Sequence, residues 1–304
     1  MTMLRTTIAA LAAALTLIPA LAQAQAVEEK NLLSGKARLD PAKGYIFVQA
    51  NMRSQGVFLR VPDDSTRAEY QKDWDEAFAK AQKKYASAIK TWEKDVAIAK
   101  STGSKPPTRP EEPNRDTFSA GAIELRDMVA YGPMFVFGKS ETRFTYLTAV
   151  KPGTYVYYGP MYYAPGLAPA GQCYCMGTVR FEVKAGAITD LGNSLAALPQ
   201  IAPPYSVGTQ AMLKQNEERR AKGKEPVWSP PALAYGVPDS LKALPAVKAE
   251  LVANGKLNNY FGVPIDRMPP IPGVLDYRRD TVIDARTGAD LPNPPIRTQV
   301  RIKK

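Results

Sequence analysis

Between Glu141 and Asn193, proline and glycine recur so often that no window of the chain is free to run as a helix. What lies between them is β-type. Phe144 and Tyr146 alternate with Thr145 and Leu147. Tyr155 to Tyr158 form an extended aromatic run. Val179, Phe181 and Val183 alternate with Arg180, Glu182 and Lys184, the pattern of a half-buried antiparallel strand. Lys151-Pro152-Gly153 and Ala185-Gly186 supply turns, since proline presets φ and glycine accepts φ > 0. Both cysteines of the chain, Cys173 and Cys175, lie between the second and third runs. This stretch predicts the heart of a β-sandwich, and Gly44–Ala50 with Gln55–Val61 predict a hairpin that joins it.

The strings Val150-Lys151-Pro152-Gly153-Thr154-Tyr155 and Phe181-Glu182-Val183-Lys184-Ala185-Gly186 resemble the strand–turn–strand of secreted bacterial transthyretin-like β-sandwich domains. The resemblance covers about a third of the chain. It implies a sandwich fold and carries over no functional residue.

Met1–Ala26 has the form of a secretory signal peptide. Arg5 supplies the positive start and Ile8–Leu17 the apolar run. Ala22-Gln23-Ala24 or Ala24-Gln25-Ala26 fits small-x-small cleavage. The apolar run is shorter than the ~20 residues of a spanning helix, and no later stretch is apolar enough to span. The mature protein is expected to be periplasmic or secreted, with no transmembrane segment after signal removal. Such a location sets aside nucleic acid as a partner. The formal charge of +11 points to anionic envelope polymers, or simply to solubility.

The pattern changes abruptly at residue 65. Thr66–Lys100 reads as one amphipathic helix, with a capping box at Thr66 and Glu69. Trp74, Phe78, Ala81, Tyr85, Ala88 and Trp92 are spaced alternately by four and three, a heptad-like stripe about three heptads long. The stripe either packs on this same chain or pairs with another copy or an envelope protein. Trp74, Phe78, Tyr85 and Trp92 are its candidate partner surface. Ser101–Asn114 is rich in proline and polar residues, so it reads as an extended, exposed linker. The expected organisation is a signal over 1–26 and a sandwich over 27–198, with a helical insertion at 65–100 and a linker at 101–116. A Pro-rich extension over 199–304 packs on the core, with short helices at Thr209–Lys222 and Asp239–Asn254. The fold class is α+β: an antiparallel β-sandwich interrupted by one long amphipathic helix, with that extension and its two short helices following.

The chain has no histidine. The commonest general base and metal ligand is therefore missing, along with every Ser-His or Cys-His nucleophile. No cofactor motif occurs. Cys173-Tyr174-Cys175 is the one local constellation. Oxidation is the default after export, and a kinked loop beside Gly171 and Gly177 brings i and i+2 within disulfide reach. The alternatives are an unpaired or partner-linked pair, or a soft-metal site of Cys173, Cys175 and Met176, with Met161 nearby. Glu124, Asp127, Glu141 and Glu182 are the carboxylates for glycan hydrolysis, or surface partners for basic neighbours. Tyr158, Tyr162, Tyr163 and Tyr174 line a ligand groove or fill a core. The reading that fits best is a non-catalytic envelope protein that binds or organises something. A carboxylate enzyme and a Cys-x-Cys redox or copper module are the alternatives.

Overall fold

The computed structural model describes residues 25–140, 143–201, 207–227 and 232–299. The expected leader falls outside them, apart from Gln25 and Ala26. The described residues divide into two compact units, a helical one over Thr66–Ala122 and a β-rich one that takes in those up to Ser65 and those from Ile123 onward.

The β-rich unit is built on two sheets. One runs β1 (Gln25–Val27), β6 (Phe144–Val150), β2 (Gly44–Ala50), β11 (Ile188–Gly192), β12 (Ala246–Lys248), with the two-residue β5 (Gly138–Lys139) also on β6. The other runs β13 (Val252–Asn254), β10 (Thr178–Val183), β7 (Gly153–Gly159), β3 (Gly56–Arg60), β4 (Val129–Tyr131), and all its pairings are antiparallel. The first sheet is mixed, because β11 pairs in parallel with both β2 and β12.

Three of the short connections do the same thing. β2 to β3, β6 to β7 and β10 to β11 each carry the chain from one sheet to the other. The expected hairpin of Gly44–Ala50 with Gln55–Val61 is therefore an arch, as is the Lys151-Pro152-Gly153 turn. In an arch the strands face each other through side chains instead of sharing backbone hydrogen bonds. Turn residues dictate a reversal of direction and are silent on which of the two forms. Burial decides it here. β2 and β3 are buried at every position, so each needs cover on both faces.

That cover comes in three clusters. Between the sheets lie Ile46, Val48, Tyr146, Val150 and Leu191 from one side, and Phe58, Tyr131, Tyr155, Tyr157, Val179, Phe181 and Val183 from the other. Odd-numbered Tyr45, Phe47, Leu147 and Ala149 point the opposite way, as period-2 geometry demands. They pack with Phe137, Ile188 and Leu241, and with Leu32 of the short helix α1 (Glu29–Leu33). Val57, Leu59 and Tyr158 leave the far face of the second sheet and meet Met161, Cys173, Cys175 and Val263. β10 shows the half-buried alternation, with Arg180 and Glu182 exposed between buried neighbours.

The region after 193 is more than a cover. Helices α3 (Ser194–Ile201) and α4 (Val207–Ala221) are its two short helices. The helix expected at Asp239–Asn254 is absent. Pro245 interrupts that window, and it forms a 3-10 turn at Asp239–Leu241 followed by β12 and β13, an edge strand for each sheet. Two small antiparallel sheets complete the unit. β8 (Met161–Tyr162) pairs with β9 (Ala170–Gly171), and β14 (Leu275–Arg278), β15 (Thr281–Asp284) and β16 (Ala289–Asp290) form the other.

Helix α2 spans Asp64–Thr102, 39 residues or roughly 58 Å. It starts two residues before the capping box. The Pro-rich stretch after it is exposed as expected, apart from half-buried Pro110 and Pro113, and it turns back to run antiparallel along the helix. Contacts pair the two in order: Ser104 with Ala99, Pro107 with Trp92, Arg115 with Asp75, Phe118 with Trp74, and Gly121 with Tyr70. Proline favours this extended course and needs no hydrogen-bonded ladder of its own.

Candidate functional site

The helical stripe is the first candidate. Trp74 stacks on Phe78 at 5.2 Å between centroids, and Phe118 meets both edge-on at 5.5 and 5.3 Å. The Arg115 guanidinium sits 4.9 Å above the Trp74 ring and pairs with Asp75 at 2.8 Å. Further along, Trp92 Nε1 donates to the Pro107 carbonyl at 2.9 Å and Arg109 lies over its ring at 5.8 Å. Both indole N–H groups thus find carbonyls on the returning segment, as half-buried tryptophans generally do. Phe78 is buried, while Trp74, Tyr85 and Trp92 stay half-open. The four residues do share one face, and the return segment covers it incompletely.

The Cys-x-Cys loop is the second. Cys173 and Cys175 are joined as a disulfide, with Cα atoms 5.1 Å apart. Both side chains have no exposure. The loop is threaded between β7 and the segment Leu257–Met268. Cys173 N–H donates to the Pro264 carbonyl, Asp266 N–H to the Cys173 carbonyl, and Leu257 N–H to the Cys175 carbonyl. Met176 N–H donates to Asp266 and Tyr174 N–H to Tyr158. Tyr158 hydroxyl closes the floor. It donates to the Asn258 carbonyl at 3.2 Å, accepts from Tyr260 N–H at 3.0 Å, and stands 3.7 Å from Cys175 Sγ. Burial pushes its phenol up to about 12.

Sulfur bonded to sulfur offers no thiolate. Met161 is buried among the same apolar residues, and among the described residues no group of three acidic or cysteine side chains converges as a metal shell. What the arrangement does chemically is to pin a loop against a distant part of the chain.

The tyrosines divide. Tyr158 is fully buried and packs on Tyr260 and Phe261. Tyr163 meets Phe261 at 5.4 Å, and Tyr174 meets Tyr157 at 5.8 Å from the inter-sheet side. Tyr162 is half-buried in β8. Tyr158 and Tyr163 thus share Phe261 in one cluster, while Tyr174 packs on another.

The carboxylates are likewise apart. Asp127 is buried between Arg60 and Lys151. Glu182 accepts from Thr154 on the solvent side of β10. Glu124 lies in the 3-10 turn Ile123–Leu125 beside Tyr260, and Glu141 lies outside the described residues. Two surface hollows, of about 370 and 130 Å³, open around α1 and β1, and Asp127, Glu182 and Glu124 do not line them.

Sequence reasoning missed the buried anchors. Asp190 accepts from Gly192 and Gly236 N–H groups, and Asn193 holds Ala232 and Ala234 by both ends of its amide. Polar residues within and just after a strand are the signal, but apart from Gly192 their partners lie some forty residues away.

Comparison with family models, with curated proteins and with solved structures finds no match.

Proposed function

We propose that this chain is an exported protein of the cell envelope with a non-catalytic binding or structural role, exercised through its helical unit. The supporting observation is the stripe. Trp74 and Trp92 are anchored by hydrogen bonds to their own return segment, and with Tyr85 they stay partly exposed. Rigid aromatics with a polar tip give contact area at little entropic cost. The spacing suits another copy or an envelope protein, and the excess of Lys and Arg suits anionic envelope polymers. A catalytic reading lacks a constellation: the candidate carboxylates have separate neighbours, and the bonded sulfurs are sealed.

The test is excision of 66–122, with a short Gly-Ser linker joining Ser65 to Ile123. β3 packs against the 3-10 turn Ile123–Leu125, so the two ends are close enough to join. The shortened protein should keep the melting transition of the β-rich unit and lose crosslinked complexes in intact envelopes. Complexes that survive excision refute the reading.

A further inference from the structure

Two loops at one end of the sandwich are fastened to each other. Arg53 Nη1 donates to the Pro133 carbonyl at 2.8 Å, and Ser54 N–H to the Tyr146 hydroxyl at 2.9 Å. Gly132, at φ +59°, lies so near the first loop that a Cβ there would stand 1.9 Å from the Ser54 carbonyl oxygen. The far end of the second loop is pinned as well, by Phe137 N–H on Thr145 and Glu29 N–H on Phe137.

Between these pins the chain leaves three large apolar side chains in water: Met52, Met134 and Phe135, exposed by 73%, 71% and 60%. Phe137 takes the inward position and is buried. A fixed loop that turns its phenylalanine and methionine outward gains nothing from core packing. Cations surround the tips. Arg53 and Lys139 flank the Phe144 ring at 5.6 and 5.8 Å, and Arg143 is exposed beside it. Glu28 pairs with Lys30, and Glu29, beside Gly138, accepts from the Ser240 hydroxyl. Glu141 lies outside the described residues.

We propose that the loops at 51–55 and 132–137 seat on an anionic lipid bilayer. Met52, Met134 and Phe135 enter the headgroup–acyl boundary, and Arg53, Lys139 and Arg143 meet the lipid phosphates. The contact is peripheral: among the described residues no helix is long and apolar enough to cross a membrane. This surface is independent of the helical stripe and of any partner bound there.

Sedimentation of the protein with phosphatidylglycerol/phosphatidylethanolamine vesicles, against pure phosphatidylcholine vesicles, tests it. Binding is expected to the first and to weaken with salt. Met134→Ser with Phe135→Ser should lower the partition coefficient at least about tenfold. Leu167→Ser, an exposed apolar residue elsewhere, should leave it unchanged. Both sets lie on the surface, so melting curves will show the variants folded. No sedimentation of the wild type, or equal partition of the double variant, overturns the proposal. So does a concentration-dependent dimer abolished by the double variant, since the occupant is then a second copy.

Discussion

Arg60 Nη1 lies 3.3 Å from Asp127 Oδ2, and the two side chains are only 7% and 6% exposed. Arg60 ends the strand that leads into α2, and Asp127 follows the chain's return. Arg60 also pairs with Asp63, and its Nε donates to the Pro152 carbonyl at 2.9 Å. Lys151 reaches Asp127 Oδ1 at 3.0 Å. One charge cluster thus ties the exit of the helical insertion, its re-entry and the β6–β7 arch. Burial disfavours the guanidinium charge, but the hydrogen bond and charge of Asp63, with Asp127 behind it, hold its proton more tightly than usual. Asp127→Ala should cost about 2–4 kcal/mol, because it strands a buried cation that keeps only part of its compensation. Arg60→Met with Asp127→Leu should recover most of that loss. Urea midpoints of the three proteins check both.

Cys173→Ala with Cys175→Ala should destabilise by about 1.5 kcal/mol from loop closure, since the bridged loop is very short. The native protein should not react with thiol reagents, and should yield two thiols only after unfolding and reduction. Ellman titration under native and denaturing conditions reads this. Rapid native reactivity would mean the sulfurs are not sealed as β7 and Leu257–Met268 place them.

Phe118→Ala should loosen the helical unit alone. Phe118 touches Trp74 and Phe78 and is half-buried, so the loss is about 1–3 kcal/mol, below the range for a full core phenylalanine. Trypsin should then cut faster at Lys100 and Arg115, both exposed and neither followed by proline, while the melting of the β-rich unit stays put.

Burial raises the Tyr131 phenol to about 12, and that of Tyr157 well above its ordinary value. In the unfolded chain both ionise near pH 10. The unfolded state therefore loses protons first, and stability falls as pH rises past that point. Below it the contribution is complete. The window for Tyr131 is about pH 10 to 12, worth on the order of 2–3 kcal/mol. Melting temperatures should hold to about pH 9.5 and then drop. Tyr131→Phe should make the drop shallower.

The local readings were legible because they rest on near neighbours. The period of Val179, Phe181 and Val183 appears as the alternating burial of β10. The stripe Trp74–Phe78–Tyr85–Trp92 lies along one helix. The β-rich character with one long helix came from proline, glycine and heptad spacing. The Asp239–Asn254 window was not legible as strands, because β12 and β13 are edge strands whose partners lie elsewhere in the chain.

What the sequence determined by itself is where the chain extends, coils and turns. Local sterics and side-chain period fix those over a few residues. Only the tertiary structure decided that three turns are arches, that a Pro-rich stretch lies back on its helix, and that Cys173–Cys175 is sealed by residues beyond Leu257. Each depends on which distant surface covers which apolar face. Burial is non-directional and many pairings satisfy it, so the choice belongs to the whole packed chain.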